Sequence, residues 1–203
     1  MPAEPGDAAK REFMRGIRAR FPGFREAVRG DAEANAYFRG ERSEFRSSLD
    51  ALAQILRLCW VSDAFLAQVL YRAKASLQRR GVPLLPRIAH KLAMATAQIS
   101  IGDPVIVQPG LYVLHGQIVI DGIVEVGPGV TIAPWVTIGL RAGNVQGATI
   151  GHGVSIGTGA KVVGPVTIGP RAQIGANAVV VGNVPEGVTV VGAPAAPPAS
   201  GGD

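Results

Sequence analysis

Few side chains in this 203-residue chain are suited to proton transfer or nucleophilic attack at neutral pH: three histidines and one cysteine. Cys59 sits in the apolar stretch Leu56-Arg57-Leu58-Cys59-Trp60 and reads as a buried structural thiol rather than a nucleophile. A single cysteine excludes an internal disulfide and suits a reducing compartment. His90 falls in a basic helical stretch and reads as a surface residue. His152, in Ile150-Gly151-His152-Gly153, takes a turn position where a solvated polar residue is unremarkable. His115, in Val113-Leu114-His115-Gly116, also sits on a turn, and composition alone makes it a surface or capping residue. His115 and His152 are 37 residues apart and His90 lies in another region, so the three histidines show no metal-ligand spacing and no metal is expected.

The elements that must position these residues are set by a six-residue ruler. Ile120, Val126, Ile132, Ile138, Ile150, Ile156, Val162, Ile168, Ile174 and Val180 recur at multiples of six, usually followed by Gly or Ala. Such a repeat stacks only if each hexapeptide forms one flat side of a triangular coil with the aliphatic residue inside, a parallel β-helix of four to five coils. Two interruptions stand out. Ile101, Val107 and Val113 are one position out of phase with their successors, so the register slips inside the segment that holds His115. Between Ile138 and Ile150 no aliphatic stands at 144, and residues 139–148 read as a loop thrown out of a coil corner, with two degenerate rungs as the alternative.

Ahead of the repeat the pattern is helical. Residues 1–40 read as a charged, partly ordered segment with one helix around Lys10 to Arg20 followed by loose chain, and residues 41–99 as a helical region. Helices are predicted over 48–60, over 62–80 with Ser62 as N-cap, and over 85–97, with Gly81-Val82-Pro83 as a break. The β-helix then spans 100–192 and a flexible tail 193–203. Residues 1–100 carry seventeen Lys or Arg against ten Asp or Glu, and the remainder three against five. The basic residues are spread through helices without interleaved aromatics, which reads as a solvated face and not a nucleic-acid surface. Residues 1–13 lack an apolar core of the signal-peptide kind and no apolar run approaches the ~18 residues of a span, so a soluble, cytoplasmic protein is expected.

From Ile101 to Ala195 the chain resembles the hexapeptide-repeat acyltransferases, in particular the serine acetyltransferase-like branch. The resemblance rests on Val113-Leu114-His115-Gly116, Val136-Thr137-Ile138-Gly139, Ile150 to Lys161, Ile174 to Val180 and the closing Val184-Pro185-Glu186-Gly187 to Gly192-Ala193-Pro194-Ala195, with Arg79-Arg80-Gly81-Val82-Pro83 before it. It implies a mainly β fold, a left-handed parallel β-helix with an N-terminal α-helical region, assembled as a homotrimer, with pairing of trimers left open. It also implies acetyl-coenzyme A as co-substrate between neighbouring subunits and a small-molecule acceptor. His115 is then the general base: a hydroxyl attacks a thioester poorly unless an imidazole takes its proton, an assistance worth ~10² to 10⁴ in rate. By the same motif Gly139, Thr158 and Ala176 meet coenzyme A mainly through backbone groups. Lys161 and Arg171 are candidates for its phosphates, each with a solvated surface charge as the alternative.

The departures bear on the acceptor. Leu114 stands where the serine enzymes have an Asp, Ser100 where an Asp orients the histidine, and Gln146-Gly147 where an Arg-His pair binds serine. Arg141, Asn144 and Gln146 on the loop are the candidate substrate residues, with Asp103, Asp121 and Glu125 as further candidates near the histidine. The leading function is an O-acetyltransferase acting on a small polar acceptor. A sugar, polysaccharide or natural-product hydroxyl is the close alternative, and a catalytically degenerate β-helix scaffold the alternative of another class. Serine acetyltransferases that dock into a cysteine synthase do so through a C-terminal isoleucine, whereas this chain ends Ser200-Gly201-Gly202-Asp203, so no such complex is expected.

Overall fold

The computed structural model describes residues 7–194. The expectations for residues 1–6 and for the tail from 195 onward fall outside the described residues. Five helices come first: α1 (Asp7–Ala19), α2 (Phe24–Phe38), α3 (Ser48–Val61), α4 (Asp63–Arg79) and α5 (Leu85–Ala97). Serine caps set two of the starts. Ser47 accepts the N–H of Asp50 to open α3, and Ser62 accepts the N–H of Phe65 to open α4, bending the chain by 119° between the two. Gln98, left-handed at φ 53°, ends α5 and turns the chain into the first strand.

The strands form a three-sided parallel β-helix of about five coils. The first coil holds β1 (Ile99–Ile101), β2 (Ile106–Val107) and β3 (Tyr112–Val113), the second β4 (Ile118–Ile120), β5 (Ile123–Val126) and β6 (Thr131–Ile132). In the third are β7 (Thr137–Gly139), β8 (Gln146–Ile150) and β9 (Ser155–Ile156), in the fourth β10 (Lys161–Val163), β11 (Thr167–Ile168) and β12 (Gln173–Ile174). The fifth holds β13 (Val179–Val180) and β14 (Thr189–Val190). The first face is the ladder β1-β4-β7-β10-β13, the second β2-β5-β8-β11, and the third β3-β6-β9-β12-β14. The aliphatic ruler points inward throughout: Ile101, Val107, Val113, Ile120, Val126, Ile132, Ile138, Ile150, Ile156, Val162, Ile168, Ile174 and Val180 are all at most 2% exposed. Each contributes about 1.5–3 kcal/mol of burial. Coils approach too closely for side chains at some corners, as at Gly157, where a β-carbon would stand 2.7 Å from the Ala176 nitrogen.

Pairing gives the two interruptions their meaning. Ile101 pairs with Ile120, nineteen residues on, whereas Ile120 pairs with Ile138, eighteen on, so the first coil carries its extra residue at the His115 corner. Val126 pairs with Ile150, twenty-four on, which locates six additional residues between β7 and β8. The excursion is narrower than its sequence suggests: only residues 140–145 leave the strands, while Gln146 opens β8 opposite Ile123 and Gly147 and Ala148 are buried.

Away from the left-handed corners the coil N–H groups donate forward, from Gly102 to Ile120, Gln108 to Val126 and Tyr112 to Val130, so the corresponding carbonyls of the first coil have no earlier coil to accept from. Helix α4 supplies the missing donors. Lys74 Nζ reaches the carbonyl of Ile101 (2.6 Å), Tyr71 that of Val105 (3.0 Å), Gln68 that of Leu111 (2.8 Å), and Arg72 those of Val107 and Gln108. Arg72 is also paired with Asp31 of α2 (2.8 Å), whose carboxylate accepts the N–H groups of Gly110 and Leu111. Burial pushes the Asp31 carboxyl above its usual range against the pull of Arg72. The segment expected to be loose therefore contains an ordered helix, α2, pinned by a buried ion pair. The basic helical region is not only a solvated face either, since Arg72 and Lys74 are buried.

In helix α3 the apolar stripe of Leu49, Leu52, Leu56 and Trp60 is exposed, and Ala51 and Leu58 form the buried side. Cys59 is half-buried against the cluster of Val28, Leu58 and Phe65, and burial pushes its thiol pKa up. Among the described residues no single helix is long and apolar enough to cross a membrane.

Candidate active site

His115 lies at the corner where the third face turns into the first, between β3 and β4. Its side chain is exposed, and the next residue fixes the turn. Gly116 has φ +123° and is buried against α5, where any β-carbon would collide with the carbonyl oxygen of Ala97. The N–H of Gln117 donates to that same carbonyl at 2.8 Å. The helix end thus seats the corner, and the extra residue of the first coil lets the histidine bulge outward.

The same edge carries the corners 133–136, 157–160 and 175–178, stacked on consecutive coils. Thr158 and Ala176 are therefore in line with His115, two and three coils farther along. Neither spends its backbone N–H on a backbone carbonyl among the described residues. Trp135 stands between them and the histidine corner, its N–H donating to the Gln117 carbonyl (2.9 Å) and its own carbonyl accepting Lys161 Nζ (2.6 Å). Lys161 thus sits at this edge, bonded to a main-chain carbonyl. Trp135 was not singled out by the sequence; its signal was an aromatic at a corner where the other rungs have Gly, Asn or Gln.

Other expected residues are elsewhere. Gly139 ends β7 at the opposite edge of the first face, and the loop follows it there. In that loop the Asn144 side chain accepts the N–H of Gln146, the Asn144 N–H donates to the Arg141 carbonyl, and Arg141 lies along Gly164 of the next coil. Within one chain, then, Arg141 and Asn144 are separated from His115 by the width of the first face, and Gln146 belongs to a strand, not the loop. The acidic candidates are not at the histidine corner. Asp103 pairs with Lys74 (2.8 Å), Glu125 pairs with Arg20 (2.6 Å), and Asp121 accepts the N–H of Gly122 at the far end of β4. Arg171 occupies the remaining edge, paired with Glu186 and 3.0 Å from His152, so its guanidinium is already engaged.

Ser100 points outward from β1 beside Val119 of β4. It lines a cavity of about 410 Å³ between the first face and helices α4 and α5, shared with Lys74, His90, Asp103 and Asp121. His90 is consequently half-buried rather than a surface residue, and burial, with Lys74 adding to it, pushes its pKa down. The three histidines lie on separate elements, and among the described residues no group of three His, Cys, Asp or Glu is placed to hold a metal ion.

Comparison with known proteins bears on the repeat and the fold. Residues 147–182 match the family model for the bacterial transferase hexapeptide (six repeats). Among solved structures, the serine acetyltransferase of Neisseria gonorrhoeae, determined in complex with serine, matches at 27% identity and a TM-score of 0.71, over 86% of this chain and 68% of that one. Soybean serine acetyltransferase matches at 26% and 0.70, over 88% and 70%. The Brucella abortus enzyme matches at 25% and 0.69, over 90% and 71%. No curated protein matches by sequence. Residues 147–182 therefore carry the transferase hexapeptide repeat, and the chain as a whole is similar to serine acetyltransferases, of whose length it spans about two thirds.

Proposed function

We propose that this protein is an acetyl-coenzyme A dependent O-acetyltransferase in which His115 is the general base, acting as a homotrimer on a small hydroxyl-bearing acceptor. The observation that carries the reading is the alignment of an exposed histidine with unengaged backbone N–H groups along one edge. Pantetheine is a ladder of amides, and the N–H groups of Thr158 and Ala176 suit it, with the Lys161 ammonium beside them for the diphosphate. The His115 imidazole takes the acceptor's hydroxyl proton as the oxygen attacks the thioester carbonyl carbon. A backbone N–H holds the resulting oxyanion. Collapse of the tetrahedral species breaks the C–S bond, and the imidazolium returns its proton to the departing thiolate. No enzyme nucleophile is consumed, which is consistent with a half-buried Cys59 of raised pKa.

The loop residues Arg141 and Asn144 and the glycine Gly139 reach such a site from a neighbouring subunit, since a trimer packed about an axis parallel to the coils sets the loop edge of one protomer against the histidine edge of the next. The test is release of free thiol from acetyl-coenzyme A with a panel of alcohols, amino acids and sugars. His115→Ala should lower turnover by ~10² or more while coenzyme A binding is kept, because a general base acts in the transition state. Equal losses of binding and turnover would make His115 structural. No thiol release with any acceptor would leave the scaffold reading.

A further inference from the structure

We propose that Trp135 is a stacking platform for the acceptor, and that the acceptor presents a flat apolar ring face, of a pyranose or an aromatic ring, next to the hydroxyl that is acetylated. The inference rests on the acetyl-transfer reading above and names the substrate class for the same site.

It starts from the backbone. At the histidine edge the left-handed corner residues of successive coils are Gln117, Trp135, Gly159 and Asn177, at φ 54°, 66°, 74° and 56°. Glycine and asparagine tolerate this conformation, whereas a bulky aromatic there is an outlier that the fold does not need. Packing within the chain does not explain it, because Trp135 is 58% exposed there. The position is nevertheless held at both ends, by the Gln117 carbonyl and by the Lys161 ammonium. An exposed aromatic whose main chain is tied at both ends in an unfavourable backbone well is what a binding platform requires.

Its surroundings define the ligand. Trp135 rises from the rung next to Gln117, at the ~4.8 Å spacing of adjacent strands, and His115 is two residues before Gln117. Leu114 and Val119, both partly exposed, flank the histidine in sequence and on the first face. Across the corners 114–117, 133–136, 157–160 and 175–178, no residue apart from His115 is ionisable. An amino-acid acceptor would bring an ammonium to an edge with no carboxylate in these corners, and for its own carboxylate only Lys161, already bonded to the Trp135 carbonyl and assigned to the diphosphate, and Arg141 from the loop of a neighbouring subunit. A ring would instead lay its C–H or π face on the indole and extend its hydroxyl to the imidazole.

The experiment compares Trp135→Asn and Trp135→Phe with the parent protein, using acetyl-coenzyme A and three acceptors: a methyl pyranoside, benzyl alcohol and L-serine. The parent should favour at least one ring acceptor over L-serine, and which one identifies the ring. Trp135→Asn should shift the ratio of ring to serine kcat/KM by about tenfold to a hundredfold toward serine, mainly through KM. Trp135→Phe should keep that ratio within a few-fold. Asparagine suits the left-handed corner, so thermal stability should be equal or higher in Trp135→Asn, a readout that a structural tryptophan would move downward. A parent that prefers L-serine, an unchanged ratio, or dissociation of the oligomer by Trp135→Asn overturns the proposal while leaving acetyl transfer intact. Absence of thiol release with every acceptor overturns both readings together.

Discussion

A general base is useful only where its backbone is fixed, and for the base proposed at His115 that constraint falls on the next residue. Gly116 is buried, has φ +123°, and abuts the Ala97 carbonyl. Gly116→Ala should therefore push the corner away from α5, lowering stability by roughly 1–3 kcal/mol in urea titration. It should also reduce acetyl transfer more than coenzyme A binding, because Thr158 and Ala176 lie on later coils. A variant as active and stable as the parent would show that the helix end does not seat the histidine. The odd corner was legible in the sequence because a solenoid broadcasts its register, and the slip between Val113 and Ile120 marked where the first coil takes its extra residue. Trp135 was not legible: the hexad pattern reports which residues point inward and is silent on backbone handedness at the corners. Asp103, Asp121 and Glu125 were near the histidine in sequence alone. An eighteen- or nineteen-residue coil carries neighbours in the chain to a different face.

Among the elements, α4 shows how a solenoid can be closed at its first coil. Five carbonyls of that coil accept side chains of Gln68, Tyr71, Arg72 and Lys74, and Asp31 takes two of its N–H groups. Arg72→Met leaves Asp31 a buried, unpaired carboxylate and should cost about 3–5 kcal/mol in chemical denaturation. Replacing both, as Arg72→Met with Asp31→Leu, removes the lone charge but still orphans the first-coil groups, so recovery should be partial. Full recovery in the double variant would show that the cap adds no stability beyond its own neutrality. Helix limits were readable from the Ser62 cap and the Gly81-Val82-Pro83 break, and α5 was placed to the residue. Which side of α4 is buried was not readable, because a cap of this kind buries polar residues, and a pattern search assigns those to solvent. The same charge-rich composition disguised α2, whose Asp31 and Asn35 are both buried.

For the whole molecule, His115 and the loop of residues 140–145 occupy opposite edges of the first face, so the site proposed above needs two subunits to complete it. The proposed three-fold ring would set such prisms edge to edge and make each site from two subunits. Sedimentation at micromolar concentration should give a mass of at least three chains. A sharper measurement is complementation between His115→Ala and a loop variant, Arg141→Ala with Asn144→Ala, each inactive alone. When the two are unfolded together and refolded, random assembly gives an intact histidine facing an intact loop at about a quarter of sites, so activity should return to about that fraction. An active monomer, or variants that stay inactive after mixing while still forming trimers, would mean that the loop serves no neighbour's histidine and that acetyl transfer is completed within one chain.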